Sequence, residues 1–260
     1  MTPRPSRPVR LLASVLTAGA LLITTACSDD GDSGSGSAGV TDSPAALTPA
    51  GAQAALVTAG DLEDHWSEVG DAAGWRDSML VGTVDVADFL TAKADAADCQ
   101  KLLDSLHGQD LLGKPSGASA LTGFEQNDSR LLYQVAAYDP AALDTSFTWL
   151  KSLPAKCDSF TVTDGKDKRT VQVIETSLPE EGDARQGLRV TVQGTSGGTP
   201  ATLALDVAAV RVGTDAITVT GGGLDGNESD SVQNAVQQGT PRLEDVQAGK
   251  TPAGEPSEQD

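Results

Sequence analysis

The sequence predicts an α+β domain built on a single antiparallel sheet packed against helices. Three observations carry that prediction. Two segments before Cys157 space their apolar residues at helical intervals, the period changes to strict alternation after it, and tight-turn signals separate the alternating segments. Antiparallel strands with helices before, among and after them make one sheet with helices laid against it.

Thr48-Pro49 reads as an N-cap followed by proline at the first helical position, opening a helix through Ala55 and Leu56. Residues 61–82 carry Trp66 and Trp75 with little periodicity and read mostly as loop. Residues 94–106 are helical, with Cys99, Leu102, Leu103 and Leu106 on one face. Residues 120–124 and 131–138 read as an antiparallel pair joined across Asn127-Asp128. Asp139-Pro140 opens the clearest helix, whose buried stripe is Leu143, Phe147 and Leu150 and whose end is set by Pro154; Cys157 follows in a loop. Residues 160–163 and 170–176 flank the turn signal Asp164-Gly165. Leu188, Val190 and Val192 alternate with Arg189, Thr191 and Gln193, as in a strand with one wet face. Residues 202–212 and 216–220 flank a second hairpin at Gly213-Thr214-Asp215. Asn227 reads as the cap of a closing helix containing Val232, Ala235 and Val236.

Before the domain lies a different kind of sequence. Arg4, Arg7 and Arg10 precede an apolar run, 11–23, that ends in Thr24-Thr25-Ala26-Cys27. A charged start, a short apolar run and small residues at a junction make a secretory signal peptide over 1–26; the run is too short for a membrane span. Residues 27–46 then form a flexible Gly/Ser/Asp tether, 47–248 the domain, and 249–260 a polar, Pro-containing tail. The formal charge is −19, and removing the three arginines of the signal leaves −22 from Cys27 onward. Such an excess argues against nucleic-acid binding and against electrostatic adhesion to anionic headgroups.

The junction resembles the lipobox of bacterial lipoproteins, which implies that the Cys27 thiol is diacylated before cleavage. The protein is then held by lipid at the extracytoplasmic face of the cell membrane. With Cys27 consumed, Cys99 and Cys157 are left in an oxidising compartment, either as one disulfide or as two buried thiols. A bond would close a loop of 58 residues, worth up to ~4 kcal/mol in the chain-entropy model. Neither cysteine has a second Cys or a His at metal-ligand spacing, and no cofactor motif is present.

Catalytic candidates are sparse. His65 stands beside Trp66 in the loop, and His107 beside Gly108 at a helix end, where a cation is ordinarily at home. Gly221-Gly222-Gly223 lies between a strand and a helix, the context of an anion-binding loop, but without a completing lysine it reads as a turn. Glu180-Glu181, Asp61 with Glu63 and Asp64, and Glu228 with Asp230 are acidic groups in loops and helix starts, where solvent and helix N-termini accommodate them. Trp66, Trp75 and Trp149 read as core-filling residues.

The element order, with Asp61-Leu62 after the leading helix, the cysteine helix at Cys99, the strand ending in Tyr138, the helix holding Phe147 and Trp149, then Cys157 and an antiparallel run, resembles actinobacterial extracytoplasmic sensor domains of the PknH kinase type. The resemblance spans roughly residues 47–248 and implies a twisted antiparallel sheet against helices, with a ligand groove; the family's second disulfide has no counterpart here. The sequence thus points to a non-enzymatic ligand-binding or sensing lipoprotein, whose partner is a small molecule, a lipid or a protein, with the binding surface between the Pro140 helix and the sheet. A lipid or glycolipid carrier is the alternative, its apolar face supplied by Leu188, Val190, Val192, Leu203, Leu205 and Val207. A cell-envelope hydrolase is the third.

Overall fold

The computed structural model describes residues 46–252 apart from 63–65, 77–79, 82–83, 86, 197, 225 and 227. The signal segment, Cys27, His65 and Asn227 therefore lie outside the described residues. In chain order the elements are α1 (Pro49–Ala54), β1 (Ser67–Glu68), β2 (Leu80–Val81), β3 (Val84–Asp85), α2 (Ala87–Leu90), β4 (Lys93–Ala94), α3 (Ala97–Gly108), β5 (Ser119–Gln126), β6 (Ser129–Ala137), α4 (Pro140–Lys156), β7 (Ser159–Asp164), β8 (Asp167–Thr176), β9 (Ala184–Ser196), β10 (Thr199–Val212), β11 (Asp215–Leu224) and α5 (Ser229–Gln247). Nine strands form one antiparallel sheet in the order β1-β5-β6-β11-β10-β9-β8-β7-β4, and β2 pairs with β3 alone. This is the α+β architecture expected from the sequence.

Each face of the sheet carries its own core, and the two are offset. On one face Leu188, Val190 and Val192 of β9 and Leu203, Leu205 and Val207 of β10 are buried with Leu102 and Leu103 of α3 and Leu143, Phe147, Leu150 and Leu153 of α4. On the other, Leu131, Tyr133 and Val135 of β6 and Ile217 and Val219 of β11 are buried with α1 and with Val232, Val236 and Leu243 of α5. Because α4 lies over β8 and β9 while α1 and α5 lie over β5, β6, β10 and β11, the first face is left open at the β6–β11 end.

Several local expectations give way to packing. Pro154 lies inside α4, which runs on to Lys156 with Cys157 as its C-cap. Helical geometry before a proline is disfavoured, but Leu153 is wholly buried in the core, and its burial holds the turn. Residues 93–94 form β4 against β7, so α3 begins at Ala97. The turn between β7 and β8 falls on Gly165 and Lys166, with Gly165 at φ 57°. Gly221, Gly222 and Gly223 are not a turn but the end of β11. A Cβ on Gly222 would lie 2.0 Å from the Ala204 carbonyl oxygen, and one on Gly221 would lie 2.9 Å from Val232 of α5. The glycines let a strand and a helix approach where no side chain fits. At the far end, Gly249 and Lys250 still donate to the Val246 and Asp245 carbonyls, so the chain stays tied to α5 past residue 248.

Helix α5 starts at Ser229 without a side-chain cap from its own first residues. The Glu228 N–H donates instead to Asp206 of β10, at 3.2 Å, while the same carboxylate receives both Arg189 Nε and an Arg189 terminal nitrogen at 2.9 Å. A buried strand carboxylate thus takes the N–H of the N-cap residue, the part a capping-box glutamate plays from within the helix. Farther along, α5 presses on β6 at Gly239, where a Cβ would meet the Tyr133 hydroxyl at 1.9 Å. That hydroxyl is buried and has no hydrogen-bond partner among the described residues, and burial pushes the phenol far above its ordinary range. Tyr133→Phe is therefore expected to cost nothing or to stabilise by up to about 1 kcal/mol. Gly239→Ala is expected to cost about 1–3 kcal/mol by overpacking, and less in the Tyr133→Phe background. Urea melts of the four chains measure this; strict additivity would show that the two sites do not touch.

Candidate functional site

The open end of the first face is a cleft. Its floor is set by register: Arg130, Leu132 and Gln134 of β6 stand opposite Gly222, Thr220 and Thr218 of β11, with Leu205 of β10 beside them. Period-two alternation puts all of them on one side of the sheet, back to back with Leu131, Tyr133 and Val135. The walls are Leu90 at the end of α2, Leu106 and His107 in the last turn of α3, Gln109 and Leu111 just beyond, and Trp75. The cavity measures about 50 Å³, on a scale where one water needs roughly 10–15 Å³.

Two devices hold the walls. Helix α3 ends in a Schellman arrangement, Asp110 N–H to the Ser105 carbonyl and Gln109 N–H to the Leu106 carbonyl. The left-handed position falls on Gln109, at φ 58°, and not on Gly108, which stays in the helix. A non-glycine residue there is sparsely populated, and Gln109 gains from it a bond of its side-chain Nε2 to the Ala72 carbonyl, at 3.3 Å. That bond joins the end of α3 to the segment bearing Trp75. The second device is Gly123 on β5, where a Cβ would meet Ala72 at 2.6 Å and the Trp75 ring at 3.1 Å. Its missing side chain lets this segment lie directly on the sheet. Gln109→Gly is expected to leave the fold intact, with stability changed by no more than about 1 kcal/mol as relief of the left-handed strain offsets the lost bond. Trp75 fluorescence should shift to the red as its segment loosens; an unchanged spectrum would show that the bond does not hold the ring.

At the mouth, the Arg130 guanidinium lies 5.6 Å from the centre of the Trp75 ring and 3.3 Å from the Glu125 carboxylate, and donates to the Ser129 carbonyl at 3.2 Å. Cation–π and ionic contacts together fix its position.

The structure gathers some of the sequence-read residues and separates others. His107 lines the cleft, in the last turn of α3. Trp66 and Trp149 are core residues, the latter under the Lys101 ammonium at 3.9 Å, whereas Trp75 forms cleft wall. Glu180 is solvated, as expected, and pairs with Arg185. Asp61 is not solvated: its side chain is 9% exposed, accepts from Thr58 and pairs with Arg242 at 3.4 Å. The surface between α4 and the sheet is no binding surface but packed core, because Leu143, Phe147, Leu150 and Leu153 fill it against β8–β10. Cys99 and Cys157 are joined in a disulfide, Cα atoms 5.6 Å apart, that ties the start of α3 to the end of α4. Among the described residues no His, Cys, Asp and Glu cluster of metal-binding geometry occurs, and no helix is long and apolar enough to cross a membrane.

Asp215, expected in a turn, opens β11 and is buried. One carboxylate oxygen accepts from Gln247 at 2.8 Å and the other has no partner among the described residues. Burial raises its pKa above 3.8, against a smaller lowering by the Gln247 bond. An acid whose folded pKa is raised favours folding when protonated, so this contribution is full below the unfolded value and is lost as pH rises through the folded one. Asp215→Asn is expected to stabilise at pH 7 by on the order of 1 kcal/mol, with the advantage shrinking as pH falls toward 4. Melting both chains across that range checks the sign; an advantage that grows on acidification would reverse it.

No family model matches the chain, and no curated protein matches it. Among solved structures it is similar to the extracellular domain of PknH from Mycobacterium tuberculosis, with 10% identity and a TM-score of 0.38 over 80% of this chain and 99% of that one. At that level the likeness fixes neither site nor function.

Proposed function

We propose that this protein is a non-enzymatic ligand-binding lipoprotein, anchored through Cys27 at the extracytoplasmic face of the cell membrane, and that its ligand occupies the β6–β11 cleft. The observation that carries the reading is the cleft itself: Leu132 and Leu205 on the floor and Leu90, Leu106 and Leu111 on the walls, polar groups at defined places among them, and supports built from a left-handed Gln109 and a side-chain-free Gly123. Apolar lining with a few convergent polar groups is the makeup of a small-molecule site, and at about 50 Å³ the enclosed part takes only a small group. Catalysis needs in addition a proton-transferring or nucleophilic group held by an orienting partner, and among the described residues no side chain orients His107 by a hydrogen bond. A deep-cavity carrier has less support, since apart from Leu205, which lines the cleft, the apolar rows of β9 and β10 lie in the packed core with α3 and α4.

The test uses the full chain with Cys27→Ser, purified after export and examined by native mass spectrometry. A bound small molecule is expected, and Thr220→Trp, which fills the cleft floor, is expected to release it. Retention of the molecule by the filled variant would place the ligand elsewhere. Turnover of cell-envelope substrates that is abolished by a single substitution at His65 or His107 would make the protein an enzyme.

A further inference from the structure

We infer that the ligand of this cleft is a single-chain amphiphile with an anionic head, its apolar part against Leu132, Leu205 and Leu106 and its negative end at Arg130. The inference rests on the reading of the cleft as a ligand site and adds the chemistry of what enters. The chain carries 37 Asp and Glu against 18 Lys and Arg, yet none of the described residues lining the cleft bears a carboxylate. Its lining has one permanent charge, Arg130, and one further basic group, His107. In a molecule this acidic, that local inversion of charge marks a place where an anion is tolerated and a cation is not.

The position of Arg130 supports the same conclusion. It stands at the end of the cleft-facing row of β6, after Leu132, so charge and apolar floor are two residues apart on one strand. Its side chain is 19% exposed, against 49% for Glu125. The guanidinium is therefore partly shielded from water while its carboxylate partner is half in solvent, so Glu125 loses little if water replaces the guanidinium beside it. An incoming carboxylate or phosphate, the bidentate partners that guanidinium suits best, competes on favourable terms. About 50 Å³ of enclosed space, a third of the roughly 150 Å³ that holds benzene, takes only a short apolar segment of one chain, the rest of which lies along the open face, and not a two-chain lipid.

Calorimetric titration of the full chain carrying Cys27→Ser decides this with octanoate, octyl phosphate, octanol and octylammonium below their micelle concentrations, and with acetate and inorganic phosphate as headgroups alone. Octanoate and octyl phosphate are expected to bind at least about tenfold more tightly than octanol, with octylammonium, acetate and inorganic phosphate weakest. Arg130→Gln should bring both anions down to the level of octanol, and Arg130→Lys should keep part of the preference. Glu125→Gln, by removing the competing carboxylate, should tighten anion binding by about two- to fivefold, an opposite change that loss of folding cannot imitate. Equal binding of octanol and octanoate, or no effect of Arg130→Gln in a chain that melts normally, would overturn the headgroup assignment and leave the cleft as a neutral apolar site. Inorganic phosphate binding as tightly as octyl phosphate would replace the amphiphile with a free anion. If no probe binds, and Thr220→Trp releases nothing in mass spectrometry, the cleft reading itself falls.

Discussion

After export, the Cys27→Ser chain is expected in the aqueous fraction, without incorporated palmitate, whereas the natural chain stays with the membrane. From Cys27 onward the sequence carries an excess of negative charge, so anionic headgroups repel the protein body. Among the described residues no helix is long and apolar enough to span. On the proposed anchorage through Cys27, retention rests on acyl chains, each buried methylene contributing about 0.8 kcal/mol, with one chain giving marginal binding and two giving stable anchorage. Removing the thiol that carries them should change partitioning by orders of magnitude and leave the folded domain untouched, since Leu47, where the buried core begins, lies twenty residues farther along. Cell fractionation with labelled palmitate reads both consequences. A Cys27→Ser chain that is still pelleted and still labelled would place the lipid on another residue and undo the assignment.

What could be read from the sequence was what local pattern determines. Alternation in β9 and the stripe of Leu143, Phe147 and Leu150 on α4 each reflect burial along one face of one element, and periodicity reports that directly. The failures share a cause. Gly221 to Gly223 looked like a turn because glycine favours turns locally, but the close approach of α5 and of β10 decides their conformation. Asp61 and Asp215 read as loop and turn residues by type, while tertiary partners, Arg242 and Gln247, enclose them. The cleft was hidden for a topological reason. Trp75, Leu106, Arg130, Leu205 and Thr218 come from five separate stretches, brought together because β11 inserts between β6 and β10. Strand order is a property of the whole sheet, and no window of sequence contains it.

Replacing both Cys99 and Cys157 with alanine is expected to lower stability by about 2–4 kcal/mol, a fall of roughly 5–15 °C in melting temperature for a domain of this size. The bond closes a 58-residue loop that contains β5, β6 and nearly all of α3 and α4, so cutting it frees a long stretch of the unfolded chain. It also joins two helices that meet otherwise through the Lys101–Trp149 contact and a weak ion pair. Lys156 reaches Asp98 at 2.8 Å, but both side chains are about half exposed, and such pairs contribute little. Both sulfurs sit in the core under α3 and α4, where alanine leaves small voids in place of a cross-link. The loss should be uneven. Helix α3 is pinned at its start by Cys99 and supplies Leu106 and His107 to the cleft at its end, so its amides should lose exchange protection more than those of β10 and β11, which lie between ladders on both sides. Cleft affinity should fall with it while the sheet persists. Equal melting temperatures for the reduced-cysteine variant and the natural chain, with α3 as protected as before, would show that packing alone positions the helix and that the disulfide adds nothing to the fold.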